Sequence, residues 1–215
     1  MKIFLIILFL MGSIHCSSLL NNDLKSSDGS TPLQKWTEEK VYFEKLILDQ
    51  NYDQALQRKD QFLKLSKDLD KGRGLNTATA NTMIGRIFFM RKDYPLAIEH
   101  FETSETIIEN AILKSFIDPK ELSGFYYMLG TSYLENQNPE KALEEYQKKL
   151  DIEKQFFKDE LNIISETQFR LGDIYAELKN WEQSELYFFE SLKKLFFNFK
   201  SYTPLFAMKI WLKAK

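Results

Sequence analysis

The chemistry open to this 215-residue chain is limited by one cysteine, Cys16, and two histidines, His15 and His100. Nucleophilic catalysis of the Ser–His–Asp or Cys–His kind needs nucleophile and base in one folded body. His15 and Cys16 close an apolar N-terminal run, so the body that follows keeps His100 alone. A single histidine is by default a packed or surface residue, and without a second His or Cys it builds no zinc site. No G-x-x-x-x-G-K-[ST] or G-x-G-x-x-G stretch offers a phosphate cradle. The carboxylate pairs Glu38-Glu39 and Glu144-Glu145 stand beside lysines at helical spacing and read as solvated helix faces. The expectation is therefore no catalytic residue, no metal, no cofactor and no enzymatic activity. Lys+Arg 29 against Asp+Glu 31, a net charge of −2, lacks the basic character of a nucleic-acid binder.

The chain opens Met1-Lys2 and runs through Ile3-Phe4-Leu5-Ile6-Ile7-Leu8-Phe9-Leu10-Met11. One cation followed by about a dozen apolar residues is a secretory signal, too short for a comfortable membrane span. With Cys16 at its end, the segment 1–16 resembles a bacterial lipoprotein signal. That resemblance implies acylation of Cys16, which becomes the first mature residue, and a membrane-anchored product in the bacterial cell envelope. Ser13 and His15 stand where an aliphatic and a small residue are usual. A plain secretory signal cut after Ser18, giving a secreted or periplasmic protein, and an uncleaved anchor therefore stay open. Residues 17–35 follow as a tether; Ser17 to Thr31 is too polar to order itself.

The elements of the body come from a repeat. Gly85, Gly130 and Gly172 each follow an apolar residue (Ile84, Leu129, Leu171) and precede an aromatic by three (Phe88, Tyr133, Tyr175). Twelve residues after each glycine stands a small residue, Ala97, Ala142 or Ser184, and four further an aromatic, Phe101, Tyr146 or Phe188. A weaker copy has Phe43 in the glycine place, Ala55 twelve on and Lys59 in place of the second aromatic. The glycine is read as admitting a neighbouring backbone, with the small residue filling the tight crossing and the aromatics the wider gaps. One such hairpin cannot bury its apolar face; stacked copies bury a continuous core. Asp118-Pro119, Asn138-Pro139 and Thr203-Pro204 pair a capping side chain with proline at the first helical place. Helices are predicted near 36–49, 52–70, 76–91, 94–116, 119–135, 139–158, 160–178, 181–199 and 204–215.

This pattern resembles the tetratricopeptide repeat over about residues 36–200, with a spacing of 42–45 residues rather than the usual 34. The resemblance implies an all-α fold, an α-solenoid of about four antiparallel hairpins, with residues 201–215 as a capping helix. It also implies a non-catalytic protein-interaction scaffold whose first-helix faces line a groove for a peptide or protein partner. Carried onto this sequence, the groove positions include Arg86, Phe89, Tyr127, Thr131, Leu134, Phe169 and Asp173. Arg86 with the aromatics suits an apolar anchor beside an acidic group. A peptide- or ligand-sensing regulator on the same fold is the alternative. From Ser191 onward six lysines and no acid are interleaved with aromatics, which fits a cap with outward lysines or a membrane-contacting helix.

Overall fold

The computed structural model describes residues 29–198, and among them ten helices follow one another. They are α1 (Pro32–Leu48), α2 (Tyr52–Gln57), α3 (Lys59–Asp70), α4 (Leu75–Met90), α5 (Tyr94–Ile108), α6 (Ala111–Lys114), α7 (Pro119–Glu135), α8 (Pro139–Phe156), α9 (Leu161–Glu177) and α10 (Trp181–Asn198). Four hairpins result: α1 with α2–α3, α4 with α5, α7 with α8, and α9 with α10. Each packs on the next in chain order, through α3 on α4, α5 on α7 and α8 on α9. The expected all-α stack of hairpins is what the chain forms. Cys16, the signal segment 1–16 and the capping helix placed at 201–215 lie outside the described residues.

The turn inside every hairpin has the same build. Gln50, Lys92, Gln137 and Lys179 adopt left-handed backbone, with φ between 56° and 61°. The next residue's N–H reaches back to a carbonyl five places earlier: Asn51 to Leu46, Asp93 to Phe88, Asn138 to Tyr133, Asn180 to Tyr175. This closes the first helix with two otherwise orphaned carbonyls satisfied. A side chain in that conformation costs about 1–2 kcal/mol that glycine avoids. Gln137→Gly is therefore expected to raise stability by about 0.5–1 kcal/mol, measured by urea unfolding. A loss of stability would show that the Gln137 side chain supplies something the backbone does not.

Three helices start on a side-chain cap. The Asp93, Asp118 and Asn138 side chains accept N–H bonds from the first turns of α5, α7 and α8, with Pro119 and Pro139 at the first helical place and Pro95 at the second. The same device corrects the N-terminal boundary. Thr31 accepts from the Gln34 N–H at 3.2 Å while Gln34 Oε1 accepts the Thr31 N–H at 2.8 Å. This capping box starts α1 at Pro32, inside the stretch read as tether. Two predicted helices are shorter than expected. The 52–70 helix is interrupted at Arg58, and the 94–116 helix stops at Ile108, where Asn110 Oδ1 accepts from the Ile112 N–H and caps the short α6 instead.

The core runs through all four hairpins. A Cβ built on Gly85, Gly130 or Gly172 would lie 2.8, 2.8 and 2.6 Å from ring atoms of Phe101, Tyr146 and Phe188. What each glycine admits is thus the aromatic ring of its own hairpin's second helix, not a neighbouring backbone. Ala97, Ala142 and Ser184, one turn earlier on that helix, are buried beside it. In the first hairpin the roles are redistributed. Phe43 occupies the glycine place and fills the space itself, Lys59 replaces the aromatic, and Phe62 three residues on stacks over Phe43 at 4.6 Å.

Candidate functional site

The groove positions named from the sequence lie on the first helices of hairpins two to four, α4, α7 and α9. Arg86, Tyr127 and Phe169 are exposed, the two aromatics by 37% and 47%. Phe89 meets Tyr127 edge-on at 6.4 Å, and Tyr127 in turn meets Tyr146 at 6.3 Å, so the aromatic strip crosses from one hairpin to the next. Thr131 shares a 2.8 Å hydrogen bond with the Tyr146 hydroxyl. Phe169 rests on Phe188 of its own hairpin at 5.1 Å, and Asp173 stands 3.9 Å from Arg170. Burial raises the Asp173 carboxyl above its ordinary range against the pull of Arg170. Leu134 is half-buried against the core, so its surface is largely spent on packing rather than offered to a ligand.

Each of the two carboxylate pairs read as solvated has one buried member. Glu38 and Glu144 are exposed, but Glu39 and Glu145 are buried. Arg58, at the break between α2 and α3, donates to both oxygens of Glu39, at 2.7 and 2.5 Å, and the bond raises the guanidinium further. Glu145 on α8 faces Glu105 of α5 and Glu109 just past its end, with Lys148 between them at 3.3, 2.5 and 3.2 Å and the Tyr126 ring of α7 under the ammonium. Beside this cluster Glu102 accepts from Tyr133 at 2.6 Å and from Lys141 at 2.8 Å. His100 is packed, stacked on Phe88 and bonded to Asn81 Oδ1 at 3.0 Å, and burial lowers its affinity for a proton.

Burial first, and then the charge of Glu105, push the Glu145 carboxyl up to about 8. A carboxyl whose folded value exceeds its unfolded one stabilises the fold while it stays protonated. That contribution is complete below about 4.5 and disappears as pH rises through 8. Stability is thus expected to fall by about 2–4 kcal/mol across this window. Glu145→Gln, neutral throughout, should flatten that slope in denaturant titrations repeated at several pH values. An unchanged slope in the variant would assign the effect elsewhere.

A second polar group, missed at the sequence level, lies where α7, α8 and α9 meet. A cavity of about 280 Å³ is lined there by Lys120, Ser123, Gly124 and Tyr127 of α7, Tyr146, Lys149 and Glu153 of α8, and Ile163, Glu166, Thr167 and Arg170 of α9. Lys149 pairs with Glu153 and donates to Thr167 Oγ1 at 2.6 Å, and Ser123 donates to Glu153 Oε1 at 3.2 Å. Glu153 is fully buried, yet its Oε2 meets no hydrogen-bond partner. Among the described residues no group of three or more His, Cys, Asp or Glu is placed to hold a metal ion.

These hairpins, their glycine–aromatic contacts and their stacking order define a tetratricopeptide-like α-solenoid. Residues 123–156, most of α7 and all of α8, match the family model of the tetratricopeptide repeat. Among solved structures, BtubC (BKLC) from P. vanneervenii is similar at a TM-score of 0.66 and 15% identity, over 85% of this chain and 70% of that one. A Podosopora anserina protein of nearly identical TPR-like repeats follows at 0.60 and 13%, over 77% of each chain. MamA is similar at 0.57 and 18%, over 77% of this chain and 81% of its own. At such identities the likeness is one of fold. No curated protein matches the sequence significantly.

Proposed function

We propose that this chain is a non-catalytic interaction scaffold, held on the bacterial cell envelope by a lipid on Cys16, whose first-helix face receives a peptide or protein partner. The observation that carries the binding reading is the exposure of Arg86, Tyr127 and Phe169 at related places on three successive hairpins. Large aromatics and arginine left on a rigid repeat surface are the residues that anchor protein interfaces. The repeat array supplies a preformed surface, so little ordering entropy opposes binding there. None of the helices among the described residues is long and apolar enough to cross a membrane. The anchor reading therefore rests on the signal-like segment and Cys16.

Crosslinking and capture from membranes, compared between the native chain and an Arg86→Ala/Tyr127→Ala/Phe169→Ala variant, tests the surface. Loss of specific partners from the variant is expected; identical partner sets reject it. Mass spectrometry of the mature N-terminus tests the anchor. A diacylated or triacylated Cys16 is expected, and an unmodified start downstream of it rejects lipidation.

A further inference from the structure

Counted from the repeat glycines, the third hairpin differs from its neighbours at one place. Seven residues before the repeat glycine and nineteen after it, the second hairpin has Ala78 and Ser104 and the fourth has Ser165 and Ser191. In both, a small hydroxyl closes the crossing by bonding backbone: Ser104 to the Ala78 carbonyl, Ser165 and Ser191 each to the other's carbonyl. In the third hairpin these places hold Ser123 and Lys149. One turn further on α8 stands Glu153, where α5 has buried Ile108, and facing it Thr167 replaces the buried Phe125 of the preceding junction. Three exchanges thus place Lys149, Glu153 and Thr167 where the preceding repeat has Ser104, Ile108 and Phe125, and the cavity lies beside them. A buried ion pair generally gains little stability over well-packed apolar residues, so stability alone does not account for the set.

The unsatisfied valences define what fits. Glu153 Oε2 has no donor and is sealed from solvent, so a ligand meets it once the carboxylate turns toward the cavity, and the Lys149 ammonium has given two of its three N–H bonds, to Glu153 Oε1 and Thr167. A ligand carboxylate would meet Glu153, and a ligand ammonium would meet Lys149. A neutral group offering one N–H donor and one carbonyl acceptor satisfies both. At about 280 Å³ the space sits at the lower edge of small-ligand sites, roughly 300–1,000 Å³, and suits one side chain rather than a cofactor. The Tyr127 and Tyr146 rings and Ile163 supply walls for an apolar stem.

We propose that the cavity between α7, α8 and α9 is a side-chain pocket for the primary carboxamide of a glutamine or asparagine in a bound peptide. The ligand N–H donates to Glu153 Oε2 and Lys149 donates to the ligand carbonyl. This specifies the scaffold reading, on which it rests for its source of ligand.

The test titrates the purified full chain with N-acetyl-glutamine methylamide, N-acetyl-glutamate methylamide and N-acetyl-norvaline methylamide, following the backbone amides of Ser123, Gly124 and Thr167 by ¹⁵N NMR. The glutamine probe should shift them saturably and the other two should bind at least tenfold more weakly. Glu153→Gln should weaken the glutamine probe at least tenfold. Lys149→Ser/Glu153→Ile/Thr167→Phe, which restores the second junction's residues, should abolish its binding. No saturable shift, equal response to the three probes, preference for the glutamate probe, or undiminished binding by folded variants overturns the pocket. Failure here with partner capture intact removes only the pocket. Loss of the first-helix surface with probe binding intact removes only that surface.

Discussion

Tyr146→Ala is expected to lower the free energy of unfolding by about 3–5 kcal/mol, the range for truncating a fully buried aromatic. The ring is 2% exposed, fills the hollow over Gly130 and bonds Thr131 through its hydroxyl, and burial raises that hydroxyl to about 12. A double-mutant cycle makes the expectation specific. In the native background Gly130→Ala brings a Cβ to 2.8 Å from the Tyr146 ring, and overpacking of this kind costs about 1–3 kcal/mol. In the Tyr146→Ala background the ring collision is gone and only the Glu145 Cβ, 3.2 Å from the new methyl, remains close, so the same change should cost markedly less, offset in part by a helix-propensity gain of up to about 1 kcal/mol. Equal effects of Gly130→Ala in both backgrounds, read from urea unfolding, would refute the ring-on-glycine contact. The same logic extends to Gly85 with Phe101 and Gly172 with Phe188.

Lys149→Met should cost as much by a different route. It strips Glu153, which is fully buried, of its counter-charge, and breaking a buried pair from one side costs about 3–5 kcal/mol. Removing both partners at once, as Lys149→Met/Glu153→Leu, leaves no orphaned charge and should recover most of that loss. If the double variant were as unstable as the single one, the Lys149–Glu153 pair would be contributing packing rather than compensating charge.

Much of the fold was legible because the glycine, small-residue and aromatic register places the crossing in hairpins two to four, and Asp118-Pro119 and Asn138-Pro139 mark the starts of α7 and α8. Where one signal was weak the reading slipped. Thr31-Pro32-Leu33-Gln34 is a readable capping box, but it sits in a polar stretch whose composition argued for a tether, and composition averages away a cap. In the first hairpin, where the second helix breaks at Arg58, Phe43 takes the glycine place and the stacking aromatic is Phe62 rather than residue 59.

At the candidate site only exposure was legible. The family resemblance, carried onto the repeat register, puts Arg86, Tyr127 and Phe169 on one face, and all three are exposed. Glu39 and Glu145 could not be told from their solvated neighbours Glu38 and Glu144. Adjacent residues on a helix point about 100° apart, and only the tertiary partners, Arg58 and Lys148, show which of each pair is inside. Lys149, Glu153 and Thr167 did leave a trace, since each breaks the pattern at its repeat position. That trace acquires meaning once the three are seen to surround one cavity.

The central claim is that partners are held on the first-helix face. A photoreactive phenylalanine analogue placed at Tyr127, and separately at exposed Thr103 on second helix α5, tests it directly in membranes carrying the full chain. The account predicts a discrete crosslinked species from position 127, suppressed by Arg86→Ala/Phe169→Ala, and none from position 103. The same species from position 103, or its persistence in the variant, would contradict it.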